Sequence, residues 1–507
     1  MDQIVKNRKT LLWASFFTIV AAGVGFAVRG AILVDWANQF GFTMTELGSI
    51  TGGGFVGFGI VIIIFSLIAD KVGYKRLLLL AFILHILSYF VTIATVFVYD
   101  AMGREAAYWC LYWGTFLFAV GNGVSESVIN PLVATLFPKE KTHYLNILHA
   151  GWPGGMIVGG LVSIAFHDYV SWEVLMSFFI IPVLIYGLMI RKQKFPESEA
   201  KAAGISYKVM FLQFASPVLI FLIVLHALIG YVELGTDMWI QNITGNILED
   251  PTKGVLLFIY ASALMFVLRF FAGPIVHKIS PLGLLFVSSI FATIGLFILG
   301  NSTTGLIMLV AVTVYGIGKT FFWPTMLGVV GERFPKGGAI TMGIIGGVGM
   351  LSAGLLGGPG IGYKQDYFAS EKIKSESIES YERYRSDNTN QFLFFKPIQG
   401  LDGSKVAVLK DNGEQLSADI ERWTNSGKKL SNSGLNYLND WWEDAKPFAE
   451  TDKKPVKEAG FYGAGRALVA TSLVPALMAI GFLILIIYFK RKGGYKRIDI
   501  GSDGSDS

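Results

Sequence analysis

Twelve apolar runs, each long enough for one helix across a bilayer, set the plan of this chain before any single residue is weighed. A crossing helix needs about 17–25 predominantly apolar residues. Runs of that length occupy residues 11–33, 47–69, 77–98, 109–132, 145–166 and 174–190. A polar, basic stretch at 191–213 interrupts them, and a second set follows at 218–240, 255–276, 282–299, 306–328, 339–356 and 467–489. Only 16% of the 507 residues are charged, against about 25% in an average soluble domain. The 59 glycines and 39 phenylalanines suit closely packed helices with a lipid-facing surface. The first run is too long for a signal-peptide core and lacks a small-residue cleavage site, so it reads as a retained helix. Cys110 is the single cysteine, which excludes an intramolecular disulfide.

Lys and Arg in the short loops set the orientation. One side holds Lys6, Arg8, Lys9, Lys139, Lys278, Arg333, Lys336 and the tail cations Lys490, Arg491 and Lys492. The other side holds Asp35, Glu46, Asp100, Glu105, Asp168, Glu249 and Asp250, with Arg104 and Lys253 as its basic residues. Both termini are therefore expected in the cytoplasm of a cell with this protein in its inner (plasma) membrane. The units are residues 1–190, a linker 191–213, 214–359, an extracytoplasmic insert 360–463, the last helix 464–490 and a tail 491–507. Within the insert, 363–385 reads as a charged helix. The alternating run 405–409, flanked by Asp402-Gly403 and Asn412-Gly413, reads as a hairpin. The insert is expected to be a small folded cap outside the transport path.

The strongest single constraint on chemistry is Glu126, an acid inside the fourth run. A charged side chain there costs roughly 2.5–3.5 kcal/mol on insertion scales, so it marks a functional site. Asn122, Glu126 and Asn130 recur every four residues and share one helix face. Asn146 and His149 share a face of the next helix at similar depth. Such amide and carboxylate groups suit the hydroxyls of a polyol, and Trp152, Phe322 and Trp323 suit a sugar ring. Other charges inside the runs are Arg29, Glu233, Asp237, Arg269 and Lys319. Glu233 and Lys319 join the candidate binding residues, Arg269 reads as a structural ion-pair partner, and Asp237 as a solvated residue near an outer helix end. Gly318-Lys319-Thr320 lacks the earlier glycine of a phosphate loop, because Thr313 stands there. The glycine run Gly52, Gly53, Gly54, Gly57 and Gly59 reads as helix packing. No cofactor, metal or nucleic-acid signal is found in the sequence.

After the second run stands Ser66-Leu67-Ile68-Ala69-Asp70-Lys71-Val72-Gly73-Tyr74-Lys75-Arg76. It resembles the loop signature of the major facilitator superfamily. In that family it gates through an acid, a base, a glycine and a basic pair, here Asp70, Lys71, Gly73, Lys75 and Arg76. Ser66 and Tyr74 depart from the pattern. Echoes at Gly273–Lys278, and of Phe137-Pro138-Lys139 in Phe334-Pro335-Lys336, indicate two related halves. Within the superfamily, Glu126, Ser127, Asn130 and Pro131 are similar to the fourth helix of the fucose–proton symporter family. Asn146 and His149 stand where that family has Asn and Gln, and Arg29-Gly30 where it has an acid. The resemblance implies an all-α membrane protein of twelve helices in two halves. It also implies a monomeric secondary transporter, not an enzyme, that imports a small polar solute, a sugar, with protons. Glu126 would carry the proton, with His149 sharing or relaying it, and Arg29 would orient an acid such as Glu126 or Glu233. Two alternatives stay open. Arg29, Arg269 and Lys319 would suit an organic anion such as a uronate, and the insert would suit a membrane receptor that senses a ligand.

Overall fold

The computed structural model describes residues 2–40, 42, 47, 49–51, 54–248, 250–425 and 433–500. Glu46, Gly52, Gly53 and Glu249, singled out above, and residues 501–507 lie outside the described residues. Among the described residues, twelve helices are long and apolar enough to cross a membrane. In chain order they are Lys6–Ala31, one ending in Gly54–Val72, Tyr74–Met102, Arg104–Leu136, Lys141–Phe166, Trp172–Arg191, Pro217–Gln241, Thr252–Arg269, Ala272–Gly300, Gly305–Arg333, Pro335–Glu376 and Gly434–Arg491. They are called the first to twelfth spans below. The backbone of the ninth breaks at Ser280 (φ 65°), where Pro281 starts a new helix. Outward-facing Phe97, Leu188 and Leu473 are at least 70% exposed, as expected of a surface made for lipid.

Small residues let the spans close on one another. A Cβ on Gly23 of the first span would strike the Trp152 carbonyl of the fifth, and one on Gly230 of the seventh would strike the Gly349 carbonyl of the eleventh. Of the glycine run at the start of the second span, Gly59 is the packing residue. A Cβ there would lie 2.9 Å from the Gly347 carbonyl of the eleventh span, whereas Gly54 meets nothing.

The two halves are bonded together at the end that carries both termini. Lys141 Nζ reaches Glu199 of the linker at 2.6 Å and the Gly331 carbonyl at 3.0 Å. Thr142 Oγ1 donates to Glu332 Oε1 at 2.6 Å. The tail adds to the same point: Tyr495 donates to Glu332 Oε2 at 2.8 Å, and Arg497 to the Lys139 carbonyl at 3.1 Å. In the loop after the second span, Gly73 takes φ 92°, open to glycine at little cost. Lys75 Nζ binds the Arg191 and Gln193 carbonyls, and Lys71 and Arg76 are exposed. Asp70 is buried and crosses to the other half, where a side chain on Gly338 would sit 3.2 Å from its Oδ2. A carboxylate at the N-terminus of the helix Gly338–Ser352 is favoured by the helix dipole.

The insert has its own apolar core, built from Ile373, Tyr384, Leu409, Trp442, Val456 and Ala459. Arg383 grips Asp452 with two bonds of 2.7 Å. The charged stretch is helical, as Gly358–Glu376 and Ile378–Tyr384. The hairpin expected at 405–409 is instead the helix Gly403–Lys410. Both dipeptides taken for turns are helix caps. The Asp402 carboxylate accepts from the Ser404 and Lys405 amides at the start. Asn412 (φ 57°) and Gly413 (φ 78°) close the other end in the left-handed region. The described β features are two isolated bridges, Arg385 to Leu401 and Asn390 to Ile398.

Trp442 is 4% exposed and packs on Gly413. Trp442→Ala should cost the insert about 3–5 kcal/mol. Limited proteolysis should then cut between residues 385 and 445 while the thermal unfolding of the helical body stays in place. Loss of both together would show that the insert does not fold as a unit of its own.

Candidate functional site

Glu126 is buried within the fourth span. Its Oε2 accepts 2.6 Å from Asn130 Nδ2, one turn further along the same face. That engages the Asn130 nitrogen, so its Oδ1 faces His149 Nε2 at 2.9 Å and His149 is the donor. Glu126 is thus held by an amide rather than by a cation. Asn122, one turn the other way, accepts 3.0 Å from His85 Nε2, and His85 Nδ1 meets the Tyr186 hydroxyl at 2.9 Å.

Two prolines shape the next part. Pro153 has no N–H, so the carbonyl four residues earlier, that of His149, loses its helical partner. Arg269 NH1, from the eighth span, donates to that carbonyl at 2.5 Å. Pro324 frees the Thr320 carbonyl in the same way, and Arg269 Nε donates to it at 2.8 Å. The third bond of the guanidinium goes to Glu233 Oε1 at 3.0 Å. Glu233 sits in a π turn, Tyr231–Gly235, that interrupts the seventh span. Such bulges recur at functional sites. Its Oε2 accepts 3.2 Å from the Trp323 amide, an unpaired donor in the first turn of the helix Phe322–Arg333. A line of contacts therefore runs from Glu126 through Asn130 and His149 in one half to Arg269 and Glu233 in the other.

This line borders a narrow cavity lined by Asn122, Ser125, Glu126, His149 and Trp152 from the first half and Glu233, Arg269, Trp323 and Met350 from the second. Trp152 packs on Phe26, and Trp323 is backed by the His226 ring with centroids 4.5 Å apart. Aromatic faces and hydrogen-bonding groups of both polarities converge on one space, as a ligand site requires.

The remaining candidates lie elsewhere. Asn130 stands behind the lining and joins two helices. Asn146 does the same across the halves, with bonds to the Thr142 carbonyl (2.8 Å) and Thr325 Oγ1 (3.2 Å). Lys319, expected to bind solute, is 1% exposed and paired with Asp237, outside the cavity. Asp237 is correspondingly a half-buried ion-pair partner and not a solvated residue, because the tenth span brings an ammonium against it. Arg29 reaches neither Glu126 nor Glu233. It donates to Ser88 Oγ (2.9 Å) and the Gly25 carbonyl (3.1 Å), and lies 3.9 Å from the Phe118 ring. Arg269 proves to be more than an ion-pair partner. The signal for its carbonyl contacts was present in the sequence as Pro153 and Pro324, each four residues after a backbone oxygen that a helix would otherwise use.

The profile of the Major Facilitator Superfamily matches residues 11–358. Among curated proteins no sequence match is found. Several solved structures share the fold. The E. coli fucose:proton symporter FucP is 17% identical with a TM-score of 0.56, covering 72% of this chain and 93% of its own. The proton:xylose symporter XylE, bound to 6-bromo-6-deoxy-D-glucose, is 14% identical with a TM-score of 0.58, over 74% of this chain and 90% of its own. A human organic anion transporter, TETRAN, is 13% identical with a TM-score of 0.54, over 69% of this chain and 92% of its own.

A buried ion pair that loses one partner costs about 3–5 kcal/mol, whereas removal of both is often neutral. Lys319→Met should therefore lower thermal stability sharply, and Lys319→Met with Asp237→Leu should restore it. The double variant should also keep the apparent KM for solute. A large rise in KM would return Lys319 to the binding residues.

Proposed function

This chain belongs to the Major Facilitator Superfamily, and from that premise we propose that it imports a small neutral polar solute, a sugar, together with protons by alternating access. The charge arrangement at the cavity carries this reading. Arg269 is neutralised by Glu233, and Lys319 by Asp237, so the group left over is Glu126, held by Asn130. A cavity of that balance has no spare cation for a carboxylate or sulfonate. It does offer amides, a carboxylate, an imidazole and two indole rings to the hydroxyls and apolar face of a sugar. Glu126 is the proton-carrying group in this proposal. His149, one amide away, relays the proton or stabilises the ionised acid. FucP and XylE, which share the fold, are sugar symporters by name.

We further place the protein in the inner (plasma) membrane as a monomer, with both termini in the cytoplasm and the insert outside. The charge pattern of the loops supports that orientation. The second reading, an organic anion as solute, draws on one observation: Arg269 borders the cavity, and neutralising Glu233 would leave its charge available. Uptake of labelled glucuronate that resists an excess of neutral hexose would favour it.

Glu126→Gln keeps shape and hydrogen bonding but cannot release a proton. In proteoliposomes it should abolish accumulation of sugar under an imposed pH gradient and still allow counterflow between equal pools. Accumulation by the Gln variant would remove Glu126 as the coupling group and move that role to Glu233 or His149.

A further inference from the structure

Arg269 is 2% exposed and makes three bonds that no single element offers it. Two go to backbone oxygens that prolines have stripped of their helical donors, one in each half: His149 in the fifth span and Thr320 in the tenth. The third goes to Glu233. A guanidinium is a flat fork of five donors, so it satisfies all three acceptors at once, whereas an ammonium presents one point charge. Carbonyls freed by prolines inside a membrane protein are met by donors from neighbouring helices, side chains or water, and here the guanidinium meets both. The bond to His149 is the part of this cluster that ties one half to the other.

We propose that Arg269 is a clasp between the two halves and that the charge on Glu233 sets its grip. With Glu233 ionised, the guanidinium is held in place to bridge the His149 and Thr320 carbonyls. The same structure has the two halves bonded at the end that carries the termini. When Glu233 takes a proton, Arg269 loses its counter-ion. Its charge is then drawn to the other acids nearby, and the fork no longer fits both carbonyls. One tie between the halves is then lost, which shifts the balance toward their separation at that end against the remaining bonds there. The groups that face Glu233 are Arg269 from the eighth span, Lys319 from the tenth, Asp237 on its own helix, and Glu126 and His149 across the cavity, with His226 acting on His149. Arg269 is a positioning residue here and takes no proton itself. The proton-coupled reading above gives the coupling proton to Glu126; the proton on Glu233 is a separate trigger that sets the clasp, and the clasp does not depend on which solute is carried.

The test uses the full chain in lipid nanodiscs with Cys110→Ser and spin labels at Lys139→Cys and Lys336→Cys, one on each half at the end that carries the termini. Distances are read by electron–electron double resonance with no solute present. The parent should shift from a short to a long distance as pH falls from 8 to 5.5. Glu233→Gln should give the long distance at both. Pro153→Ala keeps every charge but returns an N–H to compete for the His149 carbonyl, and should raise the long-to-short ratio at pH 8 about tenfold, the weight of one hydrogen bond. Pro324→Ala should act in the same direction through Thr320. Arg269→Lys should lose the pH response, and if it fails to fold the two proline variants still decide. A parent-like distance distribution in both proline variants overturns the clasp. If no sugar is taken up yet these shifts occur, the solute reading fails and the clasp stands. If proton-driven sugar uptake is found and the distances do not move, the clasp alone fails.

Discussion

A backbone carbonyl without a donor is a costly defect in a membrane helix, and this protein sets two of them around one arginine. In hydrocarbon each unsatisfied backbone group costs several kcal/mol, which is why helices dominate there. Pro153 and Pro324 each open such a defect. One buried arginine closes both, so the cavity wall is rigid only while spans of the two halves stay together around it. The π turn at Tyr231–Gly235 then brings Glu233 to the third side of the same guanidinium, and the start of the helix at Phe322 offers the Trp323 amide to that acid. The site is assembled from irregularities in three spans, the fifth, seventh and tenth, answered by Arg269 of the eighth.

Charge in the membrane interior follows the same economy. Arg269 with Glu233 and Lys319 with Asp237 form pairs within the second half. The first half has Glu126 held by Asn130, and Arg29 set against Ser88 and the face of Phe118. An aromatic face takes part of the role of a counter-ion for a guanidinium. The two halves therefore divide the work. One carries paired charges, and the other carries an acid held by an amide and an arginine set against an aromatic face.

Much of this was legible in the sequence, for reasons tied to particular residues. The spans were readable because lipid imposes a minimum length on an apolar run, and the face bearing Asn122, Glu126 and Asn130 because helical period places them together. Partners across the halves were not readable. Nothing local to Lys319 names Asp237, and nothing local to Arg29 names Ser88. These contacts depend on how spans distant in sequence rotate against one another. The insert misled for a different reason. Asp402-Gly403 and Asn412-Gly413 are compatible with a hairpin turn or with the two ends of a helix, and the choice fell to the apolar core around Leu409 and Trp442. The carbonyls that Arg269 binds were implied by two prolines, but the donor that answers them comes from another part of the fold.

The eleventh and twelfth spans run on beyond the level of their neighbours into the insert, and the final helix, Ala449–Arg491, is 43 residues long. A helix of that length has a contour of about 65 Å, with Pro455 and Pro475 inside it. The insert is thus mounted on the far end of a lever whose near end belongs to the second half. A rotation of that half by about 10° moves a point about 40 Å from the pivot by about 7 Å. A small tilt at the near end of such a helix is therefore magnified into a larger displacement at the end that carries the insert.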